Sequence, residues 1–300
     1  MVAPAQRALI TRGHKTMKRG WLLNVALMTA IALLAWLAWR TPSREDAARA
    51  PLSDIKAAAV SRITLTRQKR PPIAIERRGE QWWITAPLKA RADEFQILRM
   101  LTILEAQSTA RLPATDRARF ELDLPSAVLD IDGVQYAFGG INNVTREQYV
   151  LRGDTIHAVE LRHGAALPLN AVALIRRALL AENEQPVAVA LPEFTVSKNN
   201  GRWTLSPPAG EAGADELQRY VDQWRMASAA AAEPYDNRAP RGDIRITLAD
   251  GTTLTLGVLQ REPQLVLWRR DNGLQYTFLA AAAGTLLGNP GITHPAEKVK

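Results

Sequence analysis

The chain has 300 residues, with 38 Lys and Arg against 30 Asp and Glu, a formal charge of +8 and no cysteine. The missing thiols exclude a disulfide framework, thiol catalysis and any cysteine-ligated metal. Residues 1–40 hold six of the basic residues and no acidic one, so only two of the eight net charges belong to residues 41–300. A remainder so nearly neutral gives nucleic-acid binding little electrostatic support, despite a pI near 10.0.

The chain opens on a basic tail, residues 1–20, with Arg7, Arg12, Lys15, Lys18 and Arg19 and no acid. Trp21 to Trp39 follow without a charge, and only Asn24 and Thr29 are clearly polar. At about 1.5 Å per residue such a run crosses a bilayer core of roughly 30 Å as a helix. Lys and Arg stay on the cytoplasmic side of a span, and indole rings settle at the headgroups. The basic tail, with Trp21, Trp36 and Trp39 near the span ends, therefore predicts a single-pass anchor in a bacterial inner membrane. Its N-terminus is expected in the cytoplasm and its bulk in the periplasm, with the lipid bilayer as one partner. A cleaved signal peptide is the rival reading, with Ala48-Arg49-Ala50 as its small-x-small site. The apolar run is longer than the usual 7–15 or so residues, and the site lies far beyond it. A soluble core helix is disfavoured because it would keep a polar face.

Residues 40–54 read as a polar linker. Beyond it stands an internal repeat. Trp83-Ile-Thr-Ala-Pro87 leads to Ala92-Asp93-Glu-Phe-Gln96, and Trp203-Thr-Leu-Ser-Pro207 leads to Ala214-Asp215-Glu-Leu-Gln218. Asp132-Gly133, with Gly139 six residues on, is answered by Asp250-Gly251 and Gly257. Tyr149-Val-Leu-Arg152 is answered by Leu265-Val-Leu-Trp268. Self-similarity in this order predicts two related modules, residues 55–185 and 186–288, before a flexible tail over 289–300.

Ile63/Leu65 and Ile73/Ile75 alternate as in half-buried strands, and Trp83/Thr85 and Trp203/Leu205 run into a strand-ending proline. Asp93-x-x-Gln96 and Asp215-x-x-Gln218 resemble capping boxes that open helices. Phe95, Leu98, Leu101 and Leu104 would be the buried stripe of the first helix. Leu217, Val221, Trp224 and Ala227 would be that of the second. Asp132-Gly133, Asp250-Gly251 and Asn272-Gly273 suit type I′ hairpins. Each module is thus expected as β-β-α-β-β-β-β. A helix from Leu169 to Ala181, buried through Leu169, Val172, Ile175 and Leu179, would close the first. The predicted class is α+β: one N-terminal transmembrane helix, then two modules of antiparallel sheet plus helix.

The tryptophan strand end, the Ala-Asp helix start and the Asp-Gly hairpin behind one N-terminal anchor resemble the bacterial family known only as domain of unknown function 4340. The resemblance covers most of residues 55–290 and is best in the first module. It implies a single-pass envelope protein, in some cases encoded beside ABC transporter components of the gliding-motility type. It carries no catalytic residues onto this chain. The second module departs from the pattern by a longer loop after Pro207 and a shorter connection to its Asp-Gly hairpin.

Candidate chemistry is sparse. Asp130 and Asp132 share a strand face and could do acid–base work or bind calcium. The repeat favours a turn instead, since Leu248 stands where Asp130 would be. His157, Glu160 and His163 are of ligand type, but their spacing fits no zinc motif, and in a strand Glu160 would face away from both histidines. Trp83, Trp203, Trp224 and Trp268 could form a ligand platform, although patterned tryptophans pack cores and sheets more often. Gly139-Gly140 lacks the residues of a phosphate loop, no serine nucleophile motif occurs, and Asn143-Val-Thr145 is only a formal glycosylation sequon. No catalytic residue, metal site or cofactor is expected. The leading expectation is a non-enzymatic protein-interaction or accessory subunit of an envelope or transport complex. An ABC transporter component is the candidate partner. The alternative is a periplasmic ligand-binding protein or enzyme with its site between the modules.

Overall fold

The computed structural model describes residues 17–40, 51–210 and 212–292. Arg7, Arg12, Lys15, the Ala48-Arg49-Ala50 site and the tail beyond residue 292 lie outside the described residues, as do the side chains of Lys18, Arg19 and Trp39. The apolar run is helical, as α1 (Met17–Arg40). Its described side chains are Trp21 and residues 24–36, and all are exposed. Among the described residues, no helix is long and apolar enough to cross a membrane, so the expected N-terminal transmembrane helix is not found among them, several of its apolar side chains lying outside the described set.

The first module places β1 (Arg62–Thr66), β2 (Ile73–Arg78), β3 (Gln81–Ala86) and β4 (Ala90–Arg91) before α2 (Glu94–Leu101). After the helix come β5 (Ala110–Pro113), β6 (Ala127–Ile131), β7 (Val134–Ile141), β8 (Glu147–Arg152), β9 (Thr155–Glu160) and the short α3 (Arg162–Ala165). The second module repeats the plan. It has β10 (Pro186–Ala190), β11 (Thr195–Asn199), β12 (Arg202–Ser206), α4 (Ala214–Arg225), β13 (Ala231–Pro234), β14 (Asp243–Leu248), β15 (Thr253–Gln260), β16 (Leu265–Arg269), β17 (Leu274–Phe278) and α5 (Ala281–Leu287). All strand pairs within the two sheets are antiparallel. The orders are β4-β3-β2-β1-β6-β7-β8-β9-β5 and β12-β11-β10-β14-β15-β16-β17-β13. Without β4 the two orders are the same, so the repeat in sequence is a repeat in topology. The fold is α+β, with more strands than expected: three or four before each helix and five after it.

The alternating residues bury as period-2 patterning demands. Ile63, Leu65, Ile73 and Ile75 all lie in the core. In β3 the buried tryptophan is Trp82, while Trp83 points to the other face and is half-buried. The stripe of α2 is also shifted from expectation. Ile97, Met100, Leu101 and Leu104 are buried, whereas Phe95 and Leu98 are exposed. Both sets have helical spacing, and the i, i+3, i+4, i+7 set gives the fuller stripe against the sheet. On α4, Leu217, Val221, Trp224 and Ala227 are buried as expected, joined by Tyr220.

The segment 169–181 is not the expected helix. Asn170 caps a single 3-10 turn, Ala171–Leu174, by accepting from Ala173 N. The chain then runs extended and bridges at Ala92↔Ile175 and Ala178↔Ser228. Arg176 N donates to Arg91 O at 2.9 Å and Leu179 N to Ala227 O at 2.9 Å. Its backbone groups thus pair with both modules, and that non-local pairing overrides a spacing compatible with helix. Ile175 and Leu179 are buried, but Leu169 is exposed. One continuous apolar core draws on both sheets.

Glycine is required where a loop or turn crosses a strand closely. A side chain on Gly139 would lie 2.3 Å from Phe120 O, and one on Gly257 only 3.0 Å from Pro240 Cβ. In both modules the strand carrying this glycine shifts register against its neighbour, across Gly139 in β7 and just beyond Gly257 in β15. Gly139-Gly140 therefore lets the Phe120–Leu122 segment lie directly against β7.

Candidate functional site

The repeat-signature residues are placed as structural devices. Asp132 and Gly133 form the β6–β7 turn at φ +49° and +89°, as a type I′ turn requires. Gly251 and Gly273 also have positive φ, but Asp250 and Asn272 do not, so those two hairpins close through four-residue loops. Asn200-Gly201, at φ +49° and +81°, makes the matching two-residue turn between β11 and β12. Asp130 Oδ1 accepts from Gly133 N at 2.9 Å. Asp132 accepts from Arg62 N and Ser61 Oγ, both at 2.8 Å. Partial burial pulls the Asp132 carboxyl upward, but the bonds from Ser61 and Arg62 outweigh it and hold the group below the usual range. Both aspartates thus belong to the turn.

Asp93 caps α2 by accepting from Gln96 N at 3.2 Å. In the second module the box shifts by two residues: Gly213 is the cap, its N–H donates to Glu216 at 3.1 Å, and Asp215 sits in the first turn of α4. Pro87 and Pro207 each follow a cis peptide bond. Trp83 lies under Arg78 at 5.9 Å and Trp203 under Lys198 at 5.6 Å. Trp203 also donates to Gln218 of α4. Trp224 is fully buried, and Trp268 stacks on Tyr235 at 3.9 Å. The four tryptophans are distributed through both modules and form no common platform.

The histidines do not converge on a metal. His157 lies in β9, while His163 lies past its end in α3, so they share no strand face. Among the described residues no group of three or more His, Asp or Glu could hold a metal ion. Thr102 Oγ1 donates to Arg99 O at 2.8 Å and lies 3.2 Å from His163 Nδ1, an arrangement that assigns the proton to that nitrogen. His157 is buried between Val150 and Arg111 of the flanking strands. Burial, then the charges of Arg111 and Arg152, lower its pKa to about 4. An unfolded histidine titrates near 6.5. As pH falls from about 6.5 toward 4, the unfolded chain takes up a proton that the folded chain refuses, so stability present above that window is lost within it. Replacing His157 by Gln should flatten the acid limb of a stability–pH curve, by at most about 3 kcal/mol. Superimposable urea midpoints for both proteins from neutral pH to pH 4 would contradict the assignment.

The concave feature with converging charge lies between the two sheets. It is a cleft of about 650 Å³, within the roughly 300–1,000 Å³ typical of ligand sites. Its floor is the β3–β4 edge of the first sheet, with Arg78, Trp83, Lys89 and Arg91. The extended connection supplies Arg176 and Glu184, and the β16–β17 hairpin supplies Arg269, Asp271 and Tyr276. Five cations therefore face two carboxylates, and both carboxylates are engaged. Arg269 binds Glu184 through both terminal nitrogens and Asp271 at 2.9–3.2 Å. It also donates to Leu179 O at 2.6 Å. Both carboxylates of the lining are thus held by Arg269, and the other four cations lie on the first-module side, where Arg78 pairs with Glu76 at 3.7 Å and Arg176 with Glu182 at 2.8 Å.

That floor is ordered by register. Trp83 pairs with Arg91 across β3 and β4, and the Ala92↔Ile175 bridge sets Arg91 opposite Arg176. Directly opposed residues project to one face, so Trp83, Arg91 and Arg176 form a row. Arg176 pairs with the exposed Glu182 at 2.8 Å. Arg91 makes no ion pair among the described residues, and burial, followed by the charge of Arg176, pulls its pKa down. Strand β4, which brings Arg91, has no counterpart in the second sheet. Sequence reasoning missed this site because β4 is two residues long and Arg176 fell within a misassigned helix. The Trp-x-x-x-Pro motif at the cleft edge was its one local signal.

No curated protein and no solved structure gives a significant match. The family described as Domain of unknown function (DUF4340) matches residues 82–239, from β3 through the connection into the second module. That span exceeds half of the 300 residues and includes Trp83, Arg91 and Arg176, and the chain belongs to this family.

Proposed function

We propose that the chain is a single-pass inner-membrane protein whose two-module region works in the periplasm as an accessory or binding subunit of an envelope or transport complex, without catalysis of its own. The observation that carries this reading is the surface of α1. Val25, Leu27, Met28, Ile31, Leu33 and Leu34 are all exposed, with Trp21 and Trp36 beside them. At 100° per residue they point in every direction around the helix, a surface suited to lipid rather than water. Thr29 Oγ1 donates to Val25 O at 2.8 Å, so this hydroxyl is satisfied within the helix, as an apolar medium requires. The nineteen uncharged residues and the basic tail of the sequence add length and orientation.

The absence of cysteine provides a clean test. Val144 is 90% exposed, and Val144→Cys gives a unique thiol. A membrane-impermeant maleimide should label it in cells with a permeabilised outer membrane, and labelling only after lysis would overturn the orientation. Cross-linking in membranes followed by purification should recover an ABC transporter component with the chain. Recovery of the chain alone would overturn the partner assignment.

The cleft favours a second reading, in which the region binds a ligand between its modules. Its volume, its two-sided construction and its excess of cations support that reading.

A further inference from the structure

We propose that the cleft between the sheets binds a small organic oxyanion, a carboxylate or a phosphate ester, held between Arg91 and Arg176 with its carbon skeleton against Trp83. The proposal rests on the ligand-binding reading of the cleft, and it commits that reading to a chemical class. Three observations carry it. Arg91 and Arg176 oppose one another across a backbone pairing whose N–H···O distance is 2.9 Å. Like charges directly opposite on a sheet are destabilising, and within the protein the exposed Glu182, with Glu184 and Glu94 further off, only partly offsets the repulsion at Arg91, so an added anion between the two guanidinium groups is favoured. Two guanidinium groups side by side present planar N–H forks, which suit the paired oxygens of a carboxylate or phosphate. Lys89 lines the same floor and adds positive charge, as does Arg78, whose exposed pair with Glu76 at 3.7 Å is weak.

Counter-charge from the protein is limited. Glu182 reaches Arg176 but is 81% exposed in its side chain, where an ion pair is weak. Glu184 and Asp271 are held by Arg269 on the opposite wall. Trp83 is next to Arg91 in the row and half-buried, so its ring offers an apolar face to the non-charged part of a ligand. A volume of about 650 Å³ accommodates a metabolite-sized molecule and leaves little room for a folded partner.

The test uses the full chain in a neutral detergent. Melting curves are recorded in millimolar phosphate, in millimolar succinate and in chloride at matched ionic strength. At least one oxyanion should raise the melting temperature over chloride by about 3 °C or more. A response to phosphate alone identifies a phosphate ester as the natural ligand, and a response to succinate alone identifies a carboxylate. The shift should vanish in Arg91→Gln/Arg176→Gln and shrink in Lys89→Gln, whose exposed site leaves folding intact. In chloride, Arg91→Gln by itself should melt at or above the parent temperature, because burial and the charge of Arg176 outweigh the attraction of Glu182, Glu184 and Glu94. A purely structural Arg91 would give the opposite sign. No oxyanion shift beyond chloride, or a shift retained in the double variant, overturns the proposal. A neutral polyol such as glucose, added at the same concentration, separates the readings: a shift with glucose and with no oxyanion overturns the anion class and keeps the cleft as a ligand site, and neither result bears on the maleimide labelling or the cross-linked partner.

Discussion

Replacing Arg269 by Met should destabilise the protein by about 3–5 kcal/mol, the usual consequence of removing one partner from a buried ion pair. Arg269 is 7% exposed overall, and it sits at the end of β16 beside the β16–β17 loop. Its guanidinium joins Glu184 and Leu179 of the inter-module connection to Asp271 of that loop. Burial disfavours the charge, but the bonds to Glu184 and Asp271 more than offset it, so the group stays protonated throughout the accessible pH range. In the variant, Glu184 keeps its bond from Ala181 N at 2.6 Å but loses its cation in a setting where its side chain is only 16% exposed. Lysine should rescue little, because a compact ammonium lacks the planar fork whose three nitrogens reach Glu184, Asp271 and Leu179 O. The double variant Arg269→Met/Glu184→Met should recover most of the loss, since replacing both partners with apolar groups leaves no orphaned charge. Urea unfolding of the full chain in detergent measures both. A loss below about 1 kcal/mol in the single variant would place the network among surface ion pairs and refute the clamp.

Trp224→Ala should be comparably severe, at about 3–5 kcal/mol, by removing a large side chain and leaving a cavity. Trp224 is 0% exposed and lies on the buried face of α4 with Leu217, Tyr220 and Val221. That face packs the helix onto β10 and β12, and Tyr220 ties it to α5 by donating to Leu286 O at 2.8 Å. Trp224→Phe keeps most of the apolar contact and should lose clearly less than the alanine variant. Equal losses in the two variants would show that the site tolerates no change of shape, rather than responding to volume. Thermal unfolding read at the two-module region discriminates these outcomes. A variant at the exposed Phe95 should be near neutral.

The contrast between Phe95 and Trp224 shows where sequence reasoning holds. On α4 one apolar stripe exists, so its residues could be assigned to the core without coordinates. On α2 the apolar residues Phe95, Ile97, Leu98, Met100 and Leu101 crowd more than one face. Only docking on the sheet chose among them. The Asp-Gly and Asn-Gly pairs marked their hairpins correctly, because positive φ is a local demand. Whether one or both turn residues take it depended on the length of each connection. Segment 169–181 departs from its local pattern for a related reason. Its apolar spacing suits a helix, but its backbone groups find partners on β4 and after α4, which no local pattern encodes.

The sequence by itself determined the apolar helix at the N-terminus, the two copies of one plan, the alternation that sets each strand face, and membership in the family. These are short-range properties, written in periodicity, turn residues and repeated motifs. Tertiary structure alone decided the clamp at Arg269 and the row of Trp83, Arg91 and Arg176. Arg91 and Arg176 lie far apart in the chain, and each is unremarked in its local segment. They become a candidate anion site because an extended connection pairs with a two-residue strand that only the first module possesses. Such a meeting of like charges is a product of register, and register between distant segments is fixed by the whole core rather than by either segment.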